Sequence, residues 1–178
     1  RWVQVSSEGK DHKVIRMIRS SSGGFWILGE FFETFTFQHI QLQASGTQAA
    51  FLMSLDQDGK ALWAVTFSSS QDVFAKDLAM SSKGEIYLAL NASQDVTWSS
   101  TVEEQKRFFP LKGRSGLVFN IETQGKVVST PYLIESQPSS SGFGQIESLH
   151  FDAQANLYLC GSFNEGLWVN NQEIIKSS

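Results

Sequence analysis

The sequence predicts an all-β protein made of repeated four-stranded antiparallel meanders, with almost no helix. Short β-branched and aromatic runs alternate with turns that contain Gly, Asn, Asp or Ser, a pattern typical of antiparallel hairpins. No window has the sustained period of 3.6 residues that an amphipathic helix requires. Charged residues make up only 18% of the chain and Phe, Trp and Tyr make up 12%, a balance that favours strands over exposed helices.

Segments of the chain resemble one another at fixed offsets. Residues 24–31 (GFWILGEF) align with residues 156–163 (NLYLCGSF) at an offset of 132, and a middle copy, residues 85–90 (EIYLAL), lies 61 residues after the first and 71 before the third. A second set, residues 50–60 (AFLMSLDQDGK) and 116–126 (GLVFNIETQGK), repeats at an offset of 66. Self-similarity at such intervals predicts a repeat architecture.

Each unit is predicted to contain four short strands. Residues that tolerate positive φ or bond their own backbone separate the strands. In the first complete unit the predicted strands are 12–19, 25–31, 51–56 and 61–67. The predicted turns between first and second strands are 20–24, 81–84 and 152–156, and those between third and fourth strands are 56–59 and 122–125.

These units predict blades of a β-propeller, because the two faces of such a sheet are buried only when neighbouring sheets pack on them. The chain is predicted to be one propeller segment, in which residues 1–10 form the outer strand of a preceding blade, 11–70 and 71–135 form two blades, and 136–178 form part of a third. A closed propeller needs at least four blades. The strands of about three blades therefore make an incomplete propeller, and we expect more chain, another subunit or a partner strand to supply the missing pairing.

The pattern resembles that of a bacterial β-propeller repeat family, the SBBP-type repeats. The residues that carry the resemblance are 25–31 (FWILGEF), 35–37 (FTF), 50–56 (AFLMSLD), Gly59, Leu62 and Trp63. The middle unit departs from it, since Val96, Thr97 and Trp98 replace Phe-x-Phe and residues 99–113 are charged and longer by five (66 − 61). The resemblance implies a bacterial protein at the cell surface, outside the cell or in the periplasm, and no particular activity.

Composition and charge narrow the classes of partner. The chain has 14 Lys and Arg against 18 Asp and Glu, and no basic stripe that could follow phosphates, so nucleic acid is not an expected partner. No apolar stretch approaches the roughly 18 residues of a membrane span. Cys160, the single cysteine, lies in an apolar run, which predicts a buried and inert thiol.

No residue pattern indicates catalysis, a metal or a cofactor. His12, His39 and His150 are spread along the chain without the spacing of metal ligands. Residues 56–59 (DQDG) lack the later ligands of a calcium loop and are predicted to form a hairpin turn. Carboxylates that are distant in sequence can still meet across a cleft, so a propeller glycosidase remains an alternative to the non-enzyme prediction.

Four aromatic residues are the candidate ligand-binding residues. Phe108 and Phe109 lie in the longer segment of the middle unit, interpreted as an irregular loop, and Trp168 stands where the other copies have Thr. Together with Trp98 they could offer apolar faces to a protein or a sugar, or simply pack over blade edges, above all Trp98, which fits the repeat. The sequence predicts a non-catalytic module that binds a protein in adhesion or assembly, with a carbohydrate-binding lectin as the alternative.

Overall fold

A computed structural model describes residues 8–111, 113–128, 130–135, 143–164 and 166–175, and in this part of the chain the protein is all-β. The fourteen strands pair in antiparallel fashion, and no helix is present among these residues, which confirms the all-β prediction. The described residues therefore contain no helix that could cross a membrane. The strands are β1 (Glu8–Arg19), β2 (Phe25–Phe37), β3 (Ile40–Leu55), β4 (Ala61–Ser68), β5 (Val73–Met80), β6 (Ile86–Ala92), β7 (Val96–Ser100), β8 (Glu103–Phe109), β9 (Ser115–Ile121), β10 (Tyr132–Glu135), β11 (Gly144–Phe151), β12 (Leu157–Phe163), β13 (Leu167–Val169) and β14 (Gln172–Ile175).

The strands form two six-stranded sheets and one two-stranded sheet. The first sheet has the order β1-β2-β3-β4-β7-β8, the second has the order β5-β6-β9-β10-β13-β14, and the third pairs β11 with β12. In each large sheet four strands make a meander, and a hairpin from later in the chain is added to the fourth strand. The hairpin β7–β8 thus leaves the strands that flank it in sequence and joins the sheet before them.

The first two strands of the three sheets share their local geometry. Each pair has a β-bulge at one equivalent residue, and these residues are spaced by 61 (76 − 15) and 71 (147 − 76): Ile15, Lys76 and Glu147. In the turns that follow, an N–H donates to the carbonyl four residues later, from Ser20 to Gly24, from Ser81 to Glu85 and from Asp152 to Asn156. The third residue after each donor has positive φ: Gly23, Gly84 and Ala155.

The second and third strands of the first sheet are longer than predicted. The predicted strand 25–31 and the separate Phe-x-Phe hairpin form one strand of 13 residues, β2, which pairs along its length with β3. The tip of this hairpin folds back over its own sheet. There the side chain of Gln38 donates to the carbonyl of Gly59 and accepts from the N–H of Ala61.

The interpretation of residues 99–113 as an irregular loop is wrong. Residues 103–109 form β8, which pairs with β7, and β7 in turn pairs with β4 from Val65↔Ser100 to Ser68↔Thr97. The exposed edge of β4 offers backbone donors and acceptors that local sequence does not reveal. Pairing with that edge turns the charged segment into a hairpin.

The second sheet contains a register shift that the sequence alignment misses. In the first sheet Ala50 pairs with Phe67. At the offset of 66, Gly116 would pair with residue 133, but it pairs with Ile134 instead. Pro131 directly precedes β10 and has no N–H for the ladder, so the chain accommodates one extra residue before pairing resumes.

Three apolar cores hold the sheets together. The largest lies between the first and second sheets and contains Phe67, Phe119 and Trp98. Another lies between the first sheet and the folded tip of β2–β3, where Phe35 stacks on Phe51. The smallest lies between the second sheet and β11. Residues 1–7 of the predicted outer strand 1–10 lie outside the described residues, whereas residues 8–10 of that prediction form the start of β1. Residues 136–142, 165 and 176–178 of the predicted partial blade also lie outside the described residues.

Candidate functional site

The four candidate aromatic residues lie on two hairpins. Trp98 is in β7, Phe108 and Phe109 are in β8, and Trp168 is in β13. Each hairpin is the last addition to a six-stranded sheet, β7–β8 beside β4 and β13–β14 beside β10. The structure therefore brings the candidates to equivalent places in two sheets, and does not bring all four into one site.

Two of the aromatic residues anchor the β7–β8 hairpin. Trp98 is buried in the largest core, with its ring edge-on to Phe119 at 5.3 Å between centroids. Phe109 packs against the same core. The indole Nε1 of Trp98 has no hydrogen-bond partner among the described residues. These two side chains fix the base of the hairpin and are not available to a ligand.

The opposite face of the same hairpin is exposed. Phe108 is 59% exposed, and Val102 at the hairpin turn is 52% exposed. Strand β8 is the edge of the first sheet and pairs only with β7 among the described residues. Its sequence, EEQKRFF, is largely charged, as is usual for protected edge strands. The exposed ring of Phe108 therefore lies on an edge strand that is largely charged in sequence, in a hairpin whose other face is anchored in the core.

The β13–β14 hairpin is shorter and holds its aromatic residue differently. Trp168 is half-buried and lies opposite Glu135 on β10 and Glu173 on β14. Ile174 and Ile175 of β14 are exposed. Both edge hairpins thus expose apolar side chains, but only β7–β8 also inserts aromatic side chains into the largest core.

A cleft of about 550 Å³ separates β1 and β2 of the first sheet from β5 of the second. The carboxylate of Glu30 is buried in its wall, where one oxygen accepts a 2.9 Å hydrogen bond from the N–H of Ala75 and the other lies 4.0 Å from Lys13 Nζ. Asp11 and Glu30 are the acidic residues of this wall, the pair that a glycosidase would have to use. The full lining is Asp11, His12, Lys13, Glu30, Phe32, Gln48, Phe74, Ala75 and Lys76.

A second cleft, of about 310 Å³, lies at the equivalent place between the second and third sheets. Asn91 stands 61 residues after Glu30 and takes its role: its Oδ1 accepts from the N–H of Ile146 at 2.9 Å, and its Nδ2 donates to the Ile146 carbonyl at 3.0 Å. Phe74 is exposed and lines both clefts. The lining is Phe74, Lys76, Asn91, Ala92, Ser93, Arg114 and Gln145.

The sequence alone did not identify Glu30, Asn91 and Phe74 as residues of a site. A signal was present for the first two, because Glu30 interrupts an apolar strand and a polar residue recurs 61 positions later. A polar side chain inside a buried strand needs a hydrogen-bonding partner. That partner belongs to the next sheet, so the pattern indicates an inter-sheet bond only when the repeat is already known. Nothing in the sequence marks Phe74 as exposed.

A third pocket, of about 270 Å³, lies between the second sheet and β12 and is mainly apolar. Tyr87 lines it and receives a 3.0 Å hydrogen bond at its hydroxyl from Asn120 Nδ2. Burial, and then the charge of Glu85 and the neighbouring Tyr132, raise the pKa of Tyr87 above 10.0. The phenol therefore stays neutral at physiological pH.

The prediction of a buried thiol is wrong, because Cys160 on β12 is exposed. The equivalent residue of β6, Ala89, is covered by the third sheet, whereas nothing in the described residues covers the same face of β12. Those described residues also contain no cluster of three or more His, Cys, Asp or Glu that could hold a metal ion.

Comparisons with protein-family models, with curated proteins and with solved structures found no match to this chain. The resemblance to SBBP-type repeats therefore rests only on the residues quoted for it. Function has to be argued from the hairpins, the clefts and their chemistry.

Proposed function

We propose that the chain is a non-catalytic interaction module, built of β-propeller blades, which binds a protein partner through the exposed face of the β7–β8 hairpin. The observation that carries the proposal is the contrast within one hairpin. Trp98 and Phe109 fix its inner face in the core, while Phe108 and Val102 stand exposed on its outer face. A rigid exposed aromatic residue is the kind of anchor that dominates protein interfaces.

The blade assignment is supported by the shared order of the two large sheets. Each begins with four meander strands, and the bulge and turn of their first two strands recur at offsets of 61 and 71 in all three sheets. The SBBP resemblance supports a place outside the bacterial cytoplasm, in adhesion or assembly. A propeller scaffold suits such a role, because hairpins and loops on stacked sheets are held still while their surfaces vary.

Strand β8 has one edge that pairs with no other strand among the described residues. This edge favours a partner protein that adds a strand to the first sheet. An edge strand presents unpaired N–H and C=O groups, and an extended segment of another protein can pair with them. Phe108 would then fill a pocket on the partner, and the charges of EEQKRFF would set its orientation. Binding of this kind requires no movement of the sheet behind it.

The test is affinity capture from a bacterial surface-protein extract with three immobilised chains: wild type, Phe108→Ser and Leu62→Ser. Leu62 is the matched control, since it is similarly exposed but lies on β4. We expect one protein to be retained by wild type and by the control and lost with Phe108→Ser. Hydrogen exchange should then show protection of β8 by that purified protein. Equal retention by all three chains would contradict the proposal.

A second candidate, carbohydrate binding, is favoured by one observation: Phe74 is exposed between two equivalent clefts. Aromatic faces stack on sugars, and amide and charged side chains bind the hydroxyl groups around them. Gln48 and Lys76 line the first cleft, and Arg114 and Gln145 line the second. Recurrence of a cleft at one offset suits a ligand that is itself a repeat of similar units.

A glycan array with wild type, Phe74→Ala and Phe108→Ser separates the two candidates. Carbohydrate binding predicts a defined set of glycans that Phe74→Ala loses and Phe108→Ser keeps. Wild-type signal that does not depend on Phe74, or no signal at all, would remove this candidate and leave the protein partner.

A further inference from the structure

The outer face of β1 is exposed where its equivalents are buried. Val14 and Met17 are 59% and 56% exposed. The residues 61 and 132 positions later lie on β5 and β11, where they pack against the sheet before them. These equivalents are at most 6% exposed: Ala75, Leu78, Ile146 and Leu149. The face of β1 thus has the position of a buried interface, and no sheet among the described residues covers it.

The back of the third sheet, which is the outer face of β12, is also exposed where the equivalent face of β6 is covered. Tyr158, Cys160 and Ser162 of β12 are exposed. Their equivalents on β6 face the third sheet, and two of them, Ala89 and Asn91, are buried. The back of β12 is therefore the kind of surface that receives the first strand of a following sheet.

A polar contact recurs at each existing interface between sheets. A side chain on the second strand accepts a hydrogen bond from a backbone N–H on the first strand of the next sheet, Glu30 from Ala75 and Asn91 from Ile146. The next acceptor in this series is Ser162 (162 − 91 = 71), and the donor that precedes Ala75 is Val14 (75 − 14 = 61). Both of these last residues lie on the uncovered faces.

The chain segments that carry the two faces have opposite charge. In sequence, β1 carries four basic residues against two acidic ones, whereas residues 143–175 contain acidic residues and no Lys or Arg. Opposite charges already meet across the existing interfaces: Arg16 Nε lies 3.6 Å from Asp77 Oδ1, and Lys76 Nζ lies 2.9 Å from Glu147 Oε2. A basic first strand suits an acidic receiving sheet.

We propose that these two faces bind each other between copies of the chain, so that the protein associates head to tail. The back of β12 receives β1 of a second copy, Ser162 Oγ accepts a hydrogen bond from the N–H of Val14 of that copy, and Met17 packs near Cys160. The inference rests on the stacked-blade part of the proposed function. A head-to-tail contact uses two different surfaces, so it extends until the assembly closes or is capped.

Sedimentation velocity over a range of concentrations tests the association. Ser162→Asn restores the amide of Asn91 at this position, and we expect it to tighten association about tenfold, as one added hydrogen bond would. Met17→Glu on one face and Ser162→Arg on the other should each be monomeric. An equimolar mixture of these two variants retains one intact interface, so it should stop at a dimer.

Circular dichroism and unfolding midpoints confirm that the variants fold, which is expected because the substituted side chains are exposed. The inference is overturned if wild type and Ser162→Asn are both monomeric at about 1 mM, or if mixing Met17→Glu with Ser162→Arg gives no dimer. None of these changes touches β8 or Phe74. Failed association with intact binding by the hairpin or cleft therefore rejects only the head-to-tail contact, whereas failed binding with intact association rejects only the proposed function.

Cross-linking fixes the geometry independently. In a Cys160→Ser background, Val14→Cys and Ser162→Cys would place two thiols within disulfide reach only at the proposed contact. Oxidation of the mixed variants should give a one-to-one disulfide dimer. A dimer of Ser162→Cys alone would indicate a symmetric contact and overturn the inference.

Discussion

The two interfaces between the three sheets lie at equivalent positions, but they differ in the number of buried apolar residues and in their hydrogen bonds. The first to second interface buries 21 apolar residues of the described chain, among them several large aromatic residues. The second to third interface buries five. This second interface also contains the two hydrogen bonds of Asn91 and a third, which the N–H of Leu149 donates to Asp77 Oδ2.

This difference between the interfaces indicates two separate effects: apolar burial stabilises the packed sheets, and hydrogen bonds set their alignment. Apolar burial stabilises in proportion to area and tolerates sliding, whereas a buried hydrogen bond is satisfied in only one alignment. Asp77 makes contacts across both interfaces. Its two carboxylate oxygens face Arg16 of the first sheet and Leu149 of the third. We therefore expect the polar contacts to fix the alignment of each sheet, and the largest core to contribute more to the free energy of unfolding than the core at the second interface.

Removal of a core aromatic residue should have the largest effect. Phe119 is fully buried and contacts Phe67 and Trp98 at centroid distances of 4.7 and 5.3 Å. We expect Phe119→Ala to lower the free energy of unfolding by about 3 to 5 kcal/mol, measured by denaturant titration. Phe108→Ala, at the exposed face of β8, is the control and should change it by about 0.5 kcal/mol. A loss below about 1 kcal/mol for Phe119→Ala would contradict the ranking of the interfaces.

Loss of the amide at the second interface should have a smaller and more local effect. Asn91→Ala leaves the N–H and C=O of Ile146 without their partner, at an expected cost of about 2 to 3 kcal/mol. Hydrogen exchange should accelerate in β11 and β12 and stay unchanged in β2 and β3. Ser93→Ala, at the end of the same strand, is the control. Uniform acceleration over all sheets would show that Asn91 acts on the whole fold.

The smallest effect concerns the turn between β11 and β12. Hydrogen bonds from the Asn156 side chain and backbone, and others from Tyr158 and Gln154, lower the pKa of Asp152 below 3.8. A lowered pKa means that the carboxylate stabilises the turn above about pH 4 and that this contribution is lost as pH falls through the lowered value. An NMR titration should show this pKa, and Asn156→Ala should raise it. A value at or above 3.8 in wild type would contradict the prediction.

Much of the local structure could be predicted from the sequence. The turns at 20–24, 56–59, 81–84, 122–125 and 152–156 form where Gly, Asp and Ser predict them, because their conformation is decided within a few residues. Strand bounds near these turns are close to the prediction, as in β4 and β12. The apolar positions of β3 and β9 that match at an offset of 66, such as Met53 and Phe119, are buried in both sheets for the same reason: one local pattern meets similar neighbours.

The rest of the fold depended on pairing and packing between strands that are distant in sequence. No local pattern states that β7–β8 pairs with β4 instead of with its neighbours in sequence. Nor does the apolar run around Cys160 reveal that this residue is exposed, on a face of β12 that no described residue covers. Among the candidate residues, the exposure of Phe108 and the burial of Trp98 follow from the side of the hairpin that meets the core, which the strand's pairing decides.

The added hairpin also changes what a break in the chain would do. Residues 69–72 are the direct link between β4 and β5, yet β7, which follows that link, pairs with the second half of β4, from Val65↔Ser100 to Ser68↔Thr97. A protease that cut the link would therefore leave the two large sheets joined by a β-ladder as well as by their core. Continuity of the fold across this link therefore depends on inter-strand hydrogen bonds as well as on the covalent backbone.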